Sequence, residues 1–232
     1  MKRRNFLIGT LFLLVVFAVG FILFANNKSA VHTPVRVGKG ESKITIESLF
    51  DDLKSAVNNS DIVVDITISS WIGEEKDFDK TNFSADVNAC LKGKSPNNII
   101  LFQYGSSRNT LKNYPLFDVG DRMIVFLKKA TSSEYENAYY LIGEHTSIID
   151  IRKVNKTLYA ADRYGKLTGG LLARKSSDGK SYFTIVDSDI RAKFLDQIYL
   201  YDKLAPKPTR MYTNFFLYEE LISKIKDVSI EE

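Results

Sequence analysis

The sequence predicts a mainly β fold with flanking helices (α+β): an N-terminal transmembrane helix, a small antiparallel β-barrel and C-terminal helices. Three observations carry this. A twenty-residue run without charge opens the chain, short alternating apolar runs fill the middle, and apolar residues at three- and four-residue steps return at the end. With 232 residues, 44% of them hydrophobic and 26% charged, the chain supports one sizeable core with appendages and is not a disordered or low-complexity polymer. A single Cys excludes an internal disulfide and a four-thiolate zinc site, and two His exclude a three-histidine metal centre. No cofactor, no metal site and no catalytic residue is expected.

Residues 1–5 carry Lys2, Arg3 and Arg4, and Phe6–Ala25 follows with only Gly9, Thr10 and Gly20 interrupting the hydrocarbon. At 1.5 Å per residue the run spans about 30 Å, the thickness of a bilayer core. The basic residues before it place the N-terminus in the cytoplasm and everything from Asn26 onward outside, as a single-pass plasma-membrane protein. Cleavage after Ala25 or Ala30 would put Leu23 or Lys28 at the minus-three position, where a small residue is wanted, so an uncleaved anchor is expected. Without Lys2, Arg3 and Arg4 the chain keeps 29 basic and 28 acidic residues, a net of +1. No run of four Lys or Arg follows residue 30, which argues against a nucleic-acid partner.

Residues 26–43 read as a flexible tether. From Thr45, a candidate N-cap, Ile46, Leu49, Phe50, Leu53 and Val57 predict an amphipathic helix ending near Asn58 or Asn59. Asp61–Trp71 alternates as a half-buried strand, with Ile62, Val64, Ile66 and Ile68 on one face. Thr81–Leu91 alternates again, with Phe83, Ala85, Val87, Ala89 and Leu91 on one face, and Lys92 and Gly93 close it. Asn98–Tyr104, Arg122–Leu127, Ala138–Ile142 and Ser147–Val154 are short β-rich runs between turn residues. About six strands without intervening helices argue for an antiparallel barrel or sandwich over residues 44–170. Residues 171–232 are expected to add a strand at Tyr182–Val186, a helix at Asp189–Tyr201 and a last helix from about Asn214 to Val228. That last helix carries a stripe of Leu217, Tyr218, Leu221, Ile222 and Ile225 expected to pack on the barrel.

The blocks NNSDIVVDITISSW, FSADVNACLKG, NNIILFQYG, YPLFDVGDRMIVFLKK and YYLIG resemble a pattern in uncharacterised bacterial surface proteins. Those proteins look like five-stranded barrels of the oligonucleotide/oligosaccharide-binding type, in the variant of tissue metalloprotease inhibitors (TIMP) and netrin modules. The resemblance covers about Asn58 to Gly143 and implies a fold. Inhibition in the metalloprotease-inhibitor family uses an N-terminal cysteine, which this chain lacks, so that activity does not follow.

Cys90 and His145 invite a thiol-nucleophile reading, because a Cys needs an imidazole to become a thiolate near neutral pH. Sortases resemble the chain in having one membrane helix and a β-barrel, but their order is His, Cys, Arg, whereas here Cys90 precedes His145. An unreactive strand thiol is the reading adopted, and His32 lies in the tether. GSSRNT at Gly105–Thr110 reads as a loop, since no G-x-S-x-G elbow is present. The pairs Asp51/Asp52, Asp77/Asp79 and Asp187/Asp189 read as caps and solvated faces, and Gly169/Gly170 as a turn. Asn27, Asn58, Asn82 and Asn155 begin N-x-S/T triplets that carry no meaning on a bacterial surface, the setting that an external domain without disulfides suggests. Tyr104, Tyr114, Tyr139, Tyr140, Tyr159 and Tyr164 are candidates for a stacking face. The expectation is a membrane-anchored, non-enzymatic binding module for an envelope component or protein; the alternative is an anchored envelope hydrolase or transpeptidase.

Overall fold

The computed structural model describes residues 40–42, 50, 52–75, 78–111, 114–131, 133–169, 171, 183–202, 212 and 214–230. The chain divides into Met1–Thr33 and Pro34–Glu232, and every described residue belongs to the second unit. The membrane helix expected over Phe6–Ala25 therefore lies outside the described residues. Among those described, no helix is long and apolar enough to cross a membrane.

The elements are β1 (Gly40–Ser42), α1 (Leu53–Asn59), β2 (Ile62–Glu75), β3 (Lys80–Lys92), β4 (Asn98–Tyr104), β5 (Asn109–Leu111), β6 (Arg122–Lys129) and β7 (Ala138–Leu141). After a 3-10 turn at Glu144–Ser147 come β8 (Ile148–Val154), β9 (Thr157–Asp162), α2 (Ser188–Asp202), β10 (Asn214–Leu217) and α3 (Tyr218–Ile230). Asp52 caps α1 by accepting from the Ser55 amide at 2.8 Å, and the expected Thr45 cap lies outside the described residues. The tether expectation is corrected at its end, where Gly40–Ser42 pairs in parallel with β5.

Strands β2, β3, β4, β7 and β6 close into a five-stranded barrel, with β6 returning to β2. The barrel is not wholly antiparallel as expected, because β4 and β7 run parallel. An odd number of strands in a closed ring cannot alternate direction throughout. Since β7 is antiparallel to β6 and β6 to β2, the mismatch falls on the β4–β7 seam. Ile62, Val64, Ile66, Ile68, Phe83 and Leu101 point inside, where Tyr114, Leu116 and Phe117 from the segment before β6 join them.

Outside the barrel, β6 also pairs with β8, and β9 and β10 extend that sheet. The half-buried reading of β2 is corrected here: Val63 and Asp65, on its other face, are fully buried beneath α1 and α3. Phe126, Ile149, Phe216, Leu221 and Ile225 share that second core. The face assigned to β3 holds only to Val87. Asn88 is an extra residue opposite the Asp65/Ile66 step, so Ala89 and Leu91 turn to the outer core.

Two further expectations are corrected. Residues 183–187 form no strand; Phe183 packs edge-on against Phe216 with ring centroids 5.1 Å apart, and Ile185 stays 77% exposed. The last helix starts at Tyr218, four residues later than expected, because Asn214–Leu217 pairs with β9. Phe215 and Phe216 accordingly enter different cores, as alternation in a strand requires. The rest of the stripe is buried as expected, and Val228 extends it.

The short motifs behind the resemblance have packing roles. Gly93, at φ +78°, ends β3 where a Cβ would lie 2.5 Å from the Asp61 carbonyl oxygen, so the start of β2 and the end of β3 meet backbone to backbone. The Lys92 ammonium donates to the Val57 and Asn58 carbonyls at the end of α1. Asp121 accepts from the Asp118 amide and pairs with Arg152.

Candidate functional site

The sequence candidates for catalysis do not assemble. Cys90 is exposed on β3, its thiol directed at the carbonyls of Lys92 and Gly93. His145 sits in the 3-10 turn, and its side chain lies outside the described ones. Ser106 donates to Asp79 at 2.6 Å, and Ser107 donates to Glu74 through both its amide and its hydroxyl, so both serines tie the β4–β5 loop to the β2–β3 hairpin. Asp52 caps α1, and Asp187 accepts from the Asp189 amide at the start of α2. Asp51 and Asp77 lie outside the described residues. No group of three metal-ligating side chains occurs among the described residues.

The candidate tyrosines separate by face. Tyr114 and Tyr139 are buried inside the barrel, and Tyr159 is half-buried against the α2 core. Tyr164 is half-buried beyond β9. Tyr104 and Tyr140 remain 54% and 40% exposed. Their placement follows from strand alternation. On β4, Ile99 and Leu101 point inward, so Phe102 and Tyr104 point out; on β7, Tyr139 and Leu141 point inward, so Tyr140 points out. The parallel seam then sets Tyr140 directly beside Phe102.

These rings form one wall of a groove of about 460 Å³ at the end of the barrel, lined by Glu75, Lys80, Phe102, Tyr104, Ala130, Thr131, Ser133, Glu134 and Tyr140. The β2–β3 hairpin supplies Glu75 and Lys80, and the β6–β7 loop supplies Ala130, Thr131, Ser133 and Glu134. Lys80 lies across the floor. Its ammonium sits 3.9 Å from the Phe102 ring centroid and 2.9 Å from Glu75 Oε2. Asn82 donates to the other Glu75 oxygen at 2.8 Å. Burial raises the Glu75 carboxyl, but the Asn82 and Lys80 donors outweigh it and hold the group below its ordinary value. Tyr135 packs edge-on against Phe102 at 6.5 Å, and burial followed by the nearby Glu134 carboxylate raises its phenol. Two carboxylates against one ammonium leave the lining at −1.

Sequence reasoning missed Phe102 and Lys80. The alternation around Phe102 carried the signal for its outward face, but only the β3–β4 pairing, which sets Lys80 beside Tyr104, brings the ammonium to the aromatic wall. A second cleft of about 570 Å³ runs between Asp121, Arg122, Arg152 and Gln197. Its arginines are committed, Arg152 to Asp121 and Arg122 to the buried Asp65, so it is the weaker candidate. Comparison with known protein families and with curated proteins gives no match.

Proposed function

We propose that this chain is a membrane-anchored external binding module, non-enzymatic, which holds an envelope component in the aromatic groove. The observation that carries the reading is the groove's place on the barrel. The ring order β2-β3-β4-β7-β6 supports a five-stranded barrel of the oligonucleotide/oligosaccharide-binding type, related to TIMP and netrin modules. Such barrels bind ligands on their second and third strands, between the first hairpin turn and the loop joining the fourth and fifth. In this chain those parts are β3–β4, the turn between Glu75 and Lys80, and the β6–β7 loop, the three walls of the groove. Exposed tyrosines supply stacking area at low entropic cost. The net negative lining disfavours a polyanion such as nucleic acid. Phe6–Ala25 supports the anchor and the external placement of the domain.

Hydrogen exchange of the full-length protein in nanodiscs, with and without soluble cell-wall fragments, tests the reading. Protection confined to the groove walls, Glu75, Lys80 and residues 100–104 and 130–141, is expected. Unchanged exchange there, or protection confined to the cleft at Asp121 and Arg152, would contradict it.

A further inference from the structure

We propose that the groove is a receptor site for an ammonium group on the ligand, and that Lys80 occupies it as an internal stand-in while the groove is empty. The proposal rests on the groove reading above and adds the ligand's chemistry. Lys80 itself shows what the site accepts: its ammonium lies over the Phe102 ring and against a Glu75 oxygen, the two partners that a desolvated cation needs. The remaining lining continues the same chemistry. Tyr104 and Tyr140 present exposed ring faces, and Glu134 adds a carboxylate that Lys80 does not neutralise. An anionic ligand would be repelled by this surplus, whereas a cationic one balances it.

Room and exchange are both provided. The groove, at about 460 Å³, holds far more than one ammonium. Lys80 is the first residue of β3, at the hairpin turn, and its side chain keeps 21% of its surface in water while that of Glu75 keeps 33%. A pair so placed has little net strength, so a ligand amine displaces it cheaply and Lys80 swings out to solvent. An occupant built into the chain lowers the apparent affinity by the fraction of time that it fills the site. The ligand class is therefore a primary or quaternary amine borne on a larger envelope molecule, its carrier resting on Tyr104 and Tyr140.

The test titrates Nα-acetyl-lysine methylamide into the full-length protein and its Lys80→Met variant by saturation-transfer NMR, with the Nε-acetylated compound as the neutral control. Lys80→Met should bind the amine at least fivefold more tightly than the native chain, and neither should bind the neutral compound measurably. Equal or weaker binding by Lys80→Met, or equal binding of the neutral compound, overturns the proposal. Lys80→Gln is measured alongside, so that a folding defect in one variant does not decide the result. A second arm needs no variant: cell-wall sacculi whose amines have been acetylated should lose the native protein. Should they retain it while Tyr104→Ala still weakens retention, the ammonium proposal falls and the groove reading stands.

Discussion

Glu144 is the residue whose chemistry is most at odds with its surroundings. It begins the 3-10 turn at φ +47°, is 6% exposed, and its Oε2 has no hydrogen-bond partner among the described residues. Burial raises its carboxyl from 4.5 to about 7, while the Tyr114 hydroxyl and the Tyr104 backbone pull it partly back. A folded-state value above the unfolded one means that the folded protein holds the proton more tightly. The contribution to stability is therefore full below about pH 4.5 and lost as pH rises through 7. Glu144→Gln keeps the shape and removes the ionisation. Denaturant unfolding should show the variant equal to the native chain near pH 4.5 and more stable by roughly 3 kcal/mol at pH 8, at about 1.4 kcal/mol for each pH unit between the two values. A difference that is flat with pH would show that the carboxyl ionises freely. Asp65 is the contrasting case: equally buried, it accepts from Arg122, Asn88 and the Tyr218 hydroxyl, so its charge is matched and it ties α3 to the barrel.

Among the elements, the β8–β9 hairpin turns on two residues, Asn155 and Lys156, both at positive φ, 50° and 72°. That is the backbone of a two-residue hairpin turn whose second position favours glycine. Lys156→Gly should raise the melting temperature, because the left-handed backbone costs a non-glycine residue about 1–2 kcal/mol, more than the roughly 0.4–1 kcal/mol of entropy that glycine adds to the unfolded chain; an unchanged or lower value would refute the strain. The same turn explains why β9 was missed: without the Asn-Gly signal, nothing marks Thr157–Asp162 as the return arm of a hairpin after Val154. The strands bounded by Gly, Pro, Asn or Asp were legible to within a few residues. The start of α3 was not, because Asn214–Leu217 has apolar residues compatible with either period and only its pairing with β9 makes it a strand. Leu221, fully buried between α1 and the sheet, is the centre of the C-terminal stripe. Leu221→Ala should cost about 2–5 kcal/mol by the same unfolding measurement, the range for a large core side chain, and a loss under 1 kcal/mol would mean that α3 is dispensable to the fold.

For the whole molecule, the fold was more legible than the site. Alternation showed which residues pair into a barrel, but a groove drawn from two hairpin arms, a seam and a loop exists only after closure. Alternation sets Tyr104 and Tyr140 on the outer face, opposite to Tyr139, but only the β4–β7 seam brings the two rings to one wall. The exposed Cys90, the chain's single cysteine, is a probe of the proposed external placement. A membrane-impermeant maleimide applied to intact cells should label it as fully as in lysed cells, and labelling only after lysis would place the domain inside. The most direct measurement is sedimentation of the full-length protein, in nanodiscs, with purified cell-wall sacculi, comparing the native chain with Tyr104→Ala/Tyr140→Ala. Two lost stacking faces, at about 0.5–1.5 kcal/mol each, predict a drop in affinity of roughly 5- to 150-fold with the melting temperature unchanged, since both rings face solvent. Retention equal to that of the native chain would contradict a binding site in the groove.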